Sequence, residues 1–364
     1  MRLLFVNVDL GYGGAEKMMV WVANQMAEFG NEVTFLTYRD DKANYQPLSP
    51  SIRRIHLQLE TTGGSILGFL KTSRALRMHI KKERYDVAVA FLSPSQIRLV
   101  EACKGTDTIS LLSQRGDPYY KSQLKGIRRI ISKWMNKLFY EADSYVFQTQ
   151  QAMLYYPQYI QDKGTVIANP IHKQTRTVPR HADRRIVNVA RLDIKQKRQD
   201  LLIEAFNMLS EKYPDYTLEF YGSGDDEQLL KEMACSNRRI VFKGITNNVV
   251  ESIQNASMFV LTSDFEGIPN ALLEAMSLGV PCISTDCSPG GAAMLIDSPE
   301  KGILVEKADP KALAAAIEKF IQNPEVAEAC GQHAKVVNEL YDENRIASQW
   351  KEFFDKIVKA NRNA

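Results

Sequence analysis

A chain of 364 residues is longer than one ordinary domain holds together, so two domains are expected. An apolar fraction of 45% suits soluble globular cores, and no apolar run approaches bilayer length, which argues against a membrane-spanning protein. The net charge of +3 conceals an asymmetry: residues 1–180 carry 25 Lys/Arg against 15 Asp/Glu, and the remainder 21 against 28, so the first half favours anionic partners such as lipid headgroups, a diphosphate or nucleic acid.

Met1-Arg2 leads straight into a strand-like run, Leu3–Val8, so no signal peptide is expected. The segment after Gly14 reads as a helix through about Phe29, and Val33–Tyr38 as a second strand. This β-α-β unit implies an α/β protein with a parallel, doubly wound sheet. Between strand and helix lies Gly11–Glu16, GYGGAE, where glycines let backbone approach a ligand at a helix N-terminus, or simply make a tight turn. Glu16 stands where a dinucleotide fingerprint needs its third glycine. Two stretches, Ser65–Arg84 and Tyr119–Phe139, interleave apolar residues with Lys and Arg at near-helical spacing. In the second, Leu124, Ile127, Ile130, Ile131, Trp134, Met135 and Leu138 form one face, and Lys121, Lys125, Arg128, Arg129, Lys133 and Lys137 crowd the rest. Such a helix can lie on anionic headgroups or cover a sheet with a solvated basic rim. Nucleic acid is not expected, because no recognition motif accompanies the charge. Between the two stretches, Ser110–Pro118 reads as a strand end that puts Arg115 and Asp117 at the C-terminal edge of a parallel sheet, where side chains face a cleft. Val146–Thr149 is a further strand and Val166–Pro170 follows. Ile171–Arg184 lacks apolar period and reads as a linker, with His172 and His181 as exposed linker residues.

The second half restarts the rhythm with a strand, Arg185–Ala190, a basic loop to Lys197 and a helix, Gln199–Lys212. Arg191 and Lys197, six apart in a strand-to-helix loop, can converge on one anion, whereas Lys195 and Arg198 read as solvated neighbours. Strands follow at Thr217–Tyr221, Ile240–Phe242 and Met258–Thr262, with glycine turns after the first two and a helix start at Asp225-Asp226. Ser263–Thr285, SDFEGIPNALLEAMSLGVPCIST, reads as a loop, Asp264–Pro269, then a helix from Asn270, its cap, to Leu278, ended by Gly279 and Pro281, then a strand, Pro281–Thr285. The N–H groups of Asn270, Ala271 and Leu272 at that helix start suit a phosphate. Glu266 and Glu274 can only accept hydrogen bonds, which suggests a hydroxyl-rich ligand such as a nucleotide-sugar, unless both are merely solvated acids at a helix start. The last segment, Asn344–Lys359, is a helix with an apolar stripe of Trp350, Phe353, Phe354 and Ile357. Five scattered cysteines without a C-x-x-C pair suggest a reducing cytoplasm, each reading as a buried structural thiol.

E-G-I-P-N-A-L-L-E-A-M-S-L-G-V-P resembles the E-x7-E element of the family-four retaining glycosyltransferases of the GT-B fold, matching from Glu266 through Glu274. The resemblance spans nearly the whole chain, strongest from Asn188 to Asp286 and thinnest from Tyr45 to Asp143. It implies two Rossmann-like domains with parallel sheets facing an interdomain cleft: an acceptor domain over 1–170, the linker 171–184, a nucleotide-sugar domain over 185–343, and a last helix, 344–364, crossing back to the first domain. It further implies transfer of a hexose or N-acetylhexosamine, most readily from a UDP-sugar, to a glycan hydroxyl, with neither metal nor other cofactor. Arg191 and Lys197 match the family's pair for the donor diphosphate, Glu266 its donor-sugar residue and Glu274 its ribose residue. Gly267, Ile268, Pro269, Asn270, Ala271 and Leu272 belong to the same element, Gly222 to the loop beside the nucleoside and Ile245 to the segment that meets the base. Gly13, Gly14 and Glu16 fall in the family's G-G-A-E loop. Where the family carries a His beside the donor sugar this chain departs with Arg115, as related capsule and lipid-linked sugar transferases do, and Asp117 is grouped with it. The sequence leaves open whether Glu266 is a covalent nucleophile or attack occurs on the same face as departure. A sugar-nucleotide epimerase of the same fold and a non-catalytic binding subunit are the alternatives, the second weakened by the intact Arg191, Lys197, Glu266 and Glu274. The basic first half points to a polyprenyl-diphosphate-linked acceptor at the cytoplasmic face of the membrane, against a soluble sugar acceptor.

Overall fold

The computed structural model describes residues 1–11, 13–39, 47–58, 66–119, 137–171, 182–246 and 248–362. Most of the second basic stretch (120–136), most of the expected linker, and His172 and His181 lie outside them. The chain divides into two compact units, one formed by Met1–Ala168 with Asn344–Ala364, the other by Asn169–Glu343.

The first unit runs β1 (Arg2–Asn7), α1 (Gly14–Glu28), β2 (Glu32–Thr37), β3 (Arg53–His56), α2 (Ile66–Glu83), β4 (Val87–Ala90), α3 (Ser93–Cys103), β5 (Ile109–Gln114), β6 (Ser144–Phe147), α4 (Gln150–Leu154), α5 (Gln158–Gln161) and β7 (Gly164–Val166). Its seven strands pair in parallel in the order β3-β2-β1-β4-β5-β6-β7. Strands covered on both faces need uninterrupted apolar sequence, and Leu3, Leu4, Phe5 and Val6 of β1 are all fully buried. Strand order reverses between β1 and β4, where the helices leave on opposite faces, so the loops after these strands diverge and leave a crevice. Helix α14 (Glu343–Arg362) contributes its length from Asn344 to this unit, burying Ile346, Ala347, Trp350, Phe353, Phe354, Ile357 and Val358. That set repeats at three- and four-residue steps, the spacing of one helix face.

The second unit comprises β8 (Arg185–Val189), α6 (Gln199–Leu209), β9 (Thr217–Tyr221), α7 (Glu227–Ala234), β10 (Ile240–Gly244), α8 (Val249–Ile253), β11 (Met258–Leu261), α9 (Asn270–Ser277), β12 (Cys282–Thr285), α10 (Gly291–Leu295), β13 (Ile303–Val305), α11 (Pro310–Gln322), α12 (Pro324–Ala334) and α13 (Val337–Leu340). Its six strands are parallel in the order β10-β9-β8-β11-β12-β13, so the reversal falls between β8 and β11. Helix α9 ends as its sequence demands: Gly279 takes φ +75°, its N–H donates to the Met276 carbonyl at 3.0 Å and the Val280 N–H to the Ala275 carbonyl at 3.0 Å. This left-handed glycine cap turns the chain into β12.

The structure corrects several readings. β3 is absent from the sequence reading of its region. Helix α6 stops at Leu209 rather than Lys212, and Cys235 is exposed while Cys103, Cys282, Cys287 and Cys330 are buried. Burial raises the pKa of the Cys103, Cys287 and Cys330 thiols, so of the five cysteines only Cys235 is expected to react rapidly with a disulfide reagent at pH 8 in the folded protein. Two or more fast thiols in such a titration would contradict this packing. No helix among the described residues is long and apolar enough to cross a bilayer.

Candidate functional site

The loop between β8 and α6 is built on local side-chain bonds. The Asp193 carboxylate accepts the N–H groups of Lys195 (3.0 Å) and Gln196 (3.2 Å) and pairs with Arg191 at 2.8 Å, while the Gln199 amide donates to the Arg191 carbonyl at 2.8 Å. An Asp that bonds the backbone two and three residues on is a turn-former in its own right. Asp226, just before α7, accepts the Ile194 N–H at 2.8 Å and pins the loop from the far side. The Arg191 guanidinium is mostly exposed and steadied by the Gln196 amide oxygen at 2.9 Å.

This loop is stitched to the one that follows β11. The Asp264 N–H donates to the Gln196 carbonyl (2.8 Å), the Gln196 amide to the Phe265 carbonyl (3.1 Å), and the Thr262 hydroxyl to the Lys197 carbonyl (2.7 Å). Arg198, in the left-handed region at φ +51°, pairs with Asp200 at 3.0 Å and Asp264 at 3.3 Å. It is therefore a cross-loop tie and not the solvated neighbour expected. Lys197 and Glu266 form an ion pair, both side chains largely buried, and the Ser263 hydroxyl donates to the same Glu266 oxygen at 2.7 Å. The Glu266 N–H donates to the Ser288 carbonyl at 2.7 Å, and burial together with the Glu266 charge pushes the Cys287 thiol up to about 12. Gly267 is held by Gly291, at which a Cβ would lie 1.6 Å from the Gly267 carbonyl oxygen.

Helix α9 opens beside this pair. Its first helical bond runs from the Leu273 N–H to the Pro269 carbonyl at 3.0 Å, which leaves the N–H groups of Asn270, Ala271 and Leu272 outside the ladder. Pro269 occupies the cap position and Asn270 is the first helical residue, its side-chain oxygen accepting from Asn169 at 2.8 Å. Asn270 is thus not the side-chain cap expected. Ile268 and Leu272 are buried, and Glu274 is half-buried on the following turn.

Two further loops pack in sequence behind Arg191. A Cβ on Gly222 would lie 2.0 Å from the Ala190 carbonyl oxygen, and one on Gly224 2.1 Å from that of Leu192, so both positions need glycine for this close approach. The Gly222 N–H donates to the Gly244 carbonyl at 2.8 Å, and Ile245 beyond it is exposed. Asn188, buried near the end of β8, donates to the Val260 carbonyl at 2.8 Å and joins the two strands that flank the reversal. Asp193, Gln196, Arg198, Gln199, Asn188 and Ser263 were missed from sequence. Only Asp193, as a turn-forming Asp, carried a local signal.

The remaining candidates belong to the other unit. Gly13 caps α1, Gly14 begins it, and the Glu16 carboxylate folds over Gly13, where a Cβ would lie 2.1 Å from its oxygen. Arg115 follows β5. Its guanidinium lies 4.4 Å from the Phe91 ring centre and 5.8 Å from that of Trp350 in α14, and its Nε–H donates to Ser113 Oγ at 2.9 Å. Burial lowers its pKa, yet a guanidinium remains charged at neutral pH. Asp117 accepts the Tyr119 N–H at 2.8 Å. Among the described residues no three His, Cys, Asp or Glu side chains gather as a metal site would require.

Two family models match adjoining parts of the chain: "Glycosyltransferase Family 4" over residues 12–174 and "Glycosyl transferases group 1" over residues 172–337. The chain is 24% identical over 361 residues to an uncharacterized glycosyltransferase of Haemophilus influenzae, covering 96% of this chain and 99% of that one. It is 23% identical over 369 residues, 99% of this chain and the whole of the relative, to the Campylobacter jejuni GalNAc-alpha-(1->4)-GalNAc-alpha-(1->3)-diNAcBac-PP-undecaprenol alpha-1,4-N-acetyl-D-galactosaminyltransferase. Among solved structures it superposes on sucrose-phosphate synthase from Thermosynechococcus elongatus with a TM-score of 0.82 at 20% identity, covering 99% of each chain.

Proposed function

We propose, from the premise that this chain belongs to the group 1, family-four glycosyltransferases and has the GT-B fold, that it moves a hexose or N-acetylhexosamine from a UDP-sugar to a hydroxyl of a lipid-linked glycan with retention of configuration. The observation that carries this reading is the Lys197–Glu266 pair and the open N–H groups of α9 at the strand reversal of the second unit, with Arg191 in a loop that Gln196 ties to the Glu266 loop. Ligands of open parallel sheets sit outside the carboxyl ends of strands at such a reversal. Three positive elements there suit a diphosphate, and a carboxylate among them suits sugar hydroxyls.

As the bond between the sugar's anomeric carbon and the diphosphate oxygen breaks, its electron pair passes to the leaving diphosphate. Arg191, Lys197 and the N–H groups of Asn270, Ala271 and Leu272 stabilise that growing charge, so the chain's own cations serve where other enzymes use a metal. Glu266 accepts from the donor sugar and Glu274 from the ribose, while Gly222, Ile245 and the Gly267–Pro269 loop bound the nucleoside and sugar. The acceptor hydroxyl forms the new bond on the face the diphosphate vacates and gives its proton to a diphosphate oxygen, either directly or after a covalent step on Glu266, whose carboxylate is then released as that bond breaks. In the first unit Gly14 is assigned to donor binding, and Gly13, Glu16, Arg115 and Asp117 to acceptor or donor sugar. The lipid-linked acceptor draws support from the Campylobacter relative, whose name specifies an undecaprenyl-diphosphate-linked glycan. With it goes peripheral attachment at the inner face of the cell membrane.

A panel of UDP-, GDP- and ADP-sugars tests the donor. Slow hydrolysis of one UDP-sugar is expected, falling about 100-fold in Arg191→Ala, the loss typical of one charge-stabilising donor. Glu274→Ala should chiefly weaken nucleotide binding. Failure to bind any nucleotide-sugar overturns the assignment, and release of an epimerised sugar nucleotide without an acceptor would substitute the epimerase.

A further inference from the structure

We propose that the outward face of α2 is the surface by which the chain seats on an anionic lipid bilayer, an inference that deepens the membrane-peripheral reading above and rests on it. Helix α2 has two unlike sides. Phe69, Thr72, Ser73, Leu76 and Ile80 are buried, Phe69 packing with Ile97 of α3 and with Leu138, while the Arg98 Nε–H donates to the Thr72 hydroxyl at 2.9 Å. This side anchors the helix to the unit, so the opposite side is presented rigidly.

On that opposite side Leu67, Leu70 and Met78 are 80%, 52% and 66% exposed, and Lys71, Arg74, Lys81 and Lys82 are exposed among them. At 3.6 residues per turn these seven positions fall within an arc of about 120°. Isolated exposed Leu or Met need no explanation, but three on one stripe, alternating with four cations, form the interfacial pattern in which apolar side chains enter the acyl boundary and ammonium and guanidinium groups meet phosphate. Glu83, the one carboxylate of α2, is drawn aside to Arg53 at 3.0 Å and Arg2 at 3.7 Å, and no described carboxylate pairs with any of the four cations. The stripe therefore presents net positive charge without internal neutralisation. A second copy of the same face is disfavoured as occupant, because a two-fold contact would set four cations against four. An anionic bilayer matches both the charge and the apolar tips.

Co-sedimentation of the full chain with phosphatidylcholine vesicles, with and without phosphatidylglycerol, tests this. The wild type is expected to bind the anionic vesicles and to be released by salt. Lys71→Gln with Arg74→Gln should lower its partition coefficient about 30-fold, two cations at about fivefold each, and Leu67→Ser with Met78→Ser should lower binding as well. Hydrolysis of the donor in solution should be unchanged in both variants. If the wild type binds and both variants bind equally well, α2 is not the surface, although the membrane reading stands. If the wild type ignores anionic vesicles, both fall. A dimer in sedimentation velocity that Leu67→Ser with Met78→Ser dissolves would also overturn the proposal, in favour of self-association.

Discussion

Lys197→Met is expected to slow sugar transfer by about two to three orders of magnitude, the largest catalytic loss of any single substitution in the second unit. Two effects must be separated. Lys197 is paired with Glu266, and both are largely buried. Removing one partner strands the other charge, which costs about 3–5 kcal/mol of stability for a buried pair. The double variant Lys197→Met with Glu266→Gln removes both charges and keeps the Ser263 hydrogen bond available to the amide, so most of the lost melting temperature should return. Transfer should not return with it, because the double variant lacks both the cation proposed for the leaving diphosphate and the carboxylate proposed for the donor sugar. The same geometry has a consequence for binding. With three N–H donors, Lys197 can hold Glu266 and still reach an oxygen of the diphosphate proposed to bind there. Single-turnover rates within about threefold of wild type in the double variant would show that Lys197 has no part in leaving-group departure.

Those residues were legible because their chemistry is local. Buried parallel strands require apolar runs, so β1, β2, β5, β8, β9 and β11 stand out, and α9 declares its C-terminus through Gly279 and Pro281. What the sequence hides is whatever depends on a distant partner. β3 reads Arg-Arg-Ile-His and has no strand signature of its own; it forms at the sheet edge by pairing with β2, with the Arg54 guanidinium 5.0 Å from the Phe35 ring centre. Arg198 looks like one more solvated cation in a basic loop until Asp264, 66 residues on, is brought to it. Asn270 follows the capping preference in sequence, but Asn169 draws its side chain away and Pro269 takes the cap. Lys197 and Arg191, expected on one anion, pair instead with Glu266 and Asp193. Spacing reveals which residues can converge; the partner each one takes is decided by the fold.

Trp350→Ala is expected to be the most destabilising single substitution in the first unit. Trp350 is fully buried, its ring 5.8 Å from Phe91 and 6.0 Å from Phe354, with the Arg115 guanidinium over it. Truncating a buried Trp removes more apolar surface than neighbours can close over, at about 3–5 kcal/mol, which lowers the melting temperature of a unit this size by about 10 °C. The apolar stripe of α14 packs into the first unit, although the helix comes last in sequence. Calorimetry should therefore show the first unit melting earlier while the transition of the second, with its own core around Phe206, Phe220 and Ile317, stays where it was. Nucleotide binding, proposed for the second unit, should survive at low temperature. Transfer should fall further than folding accounts for, since Arg115 loses one of its two aromatic supports. Trp350→Phe, which keeps an aromatic face toward Phe91, should recover most of the transfer and part of the stability. Were both transitions to fall together in Trp350→Ala, α14 would be holding the two units jointly, and its assignment to the first alone would fail.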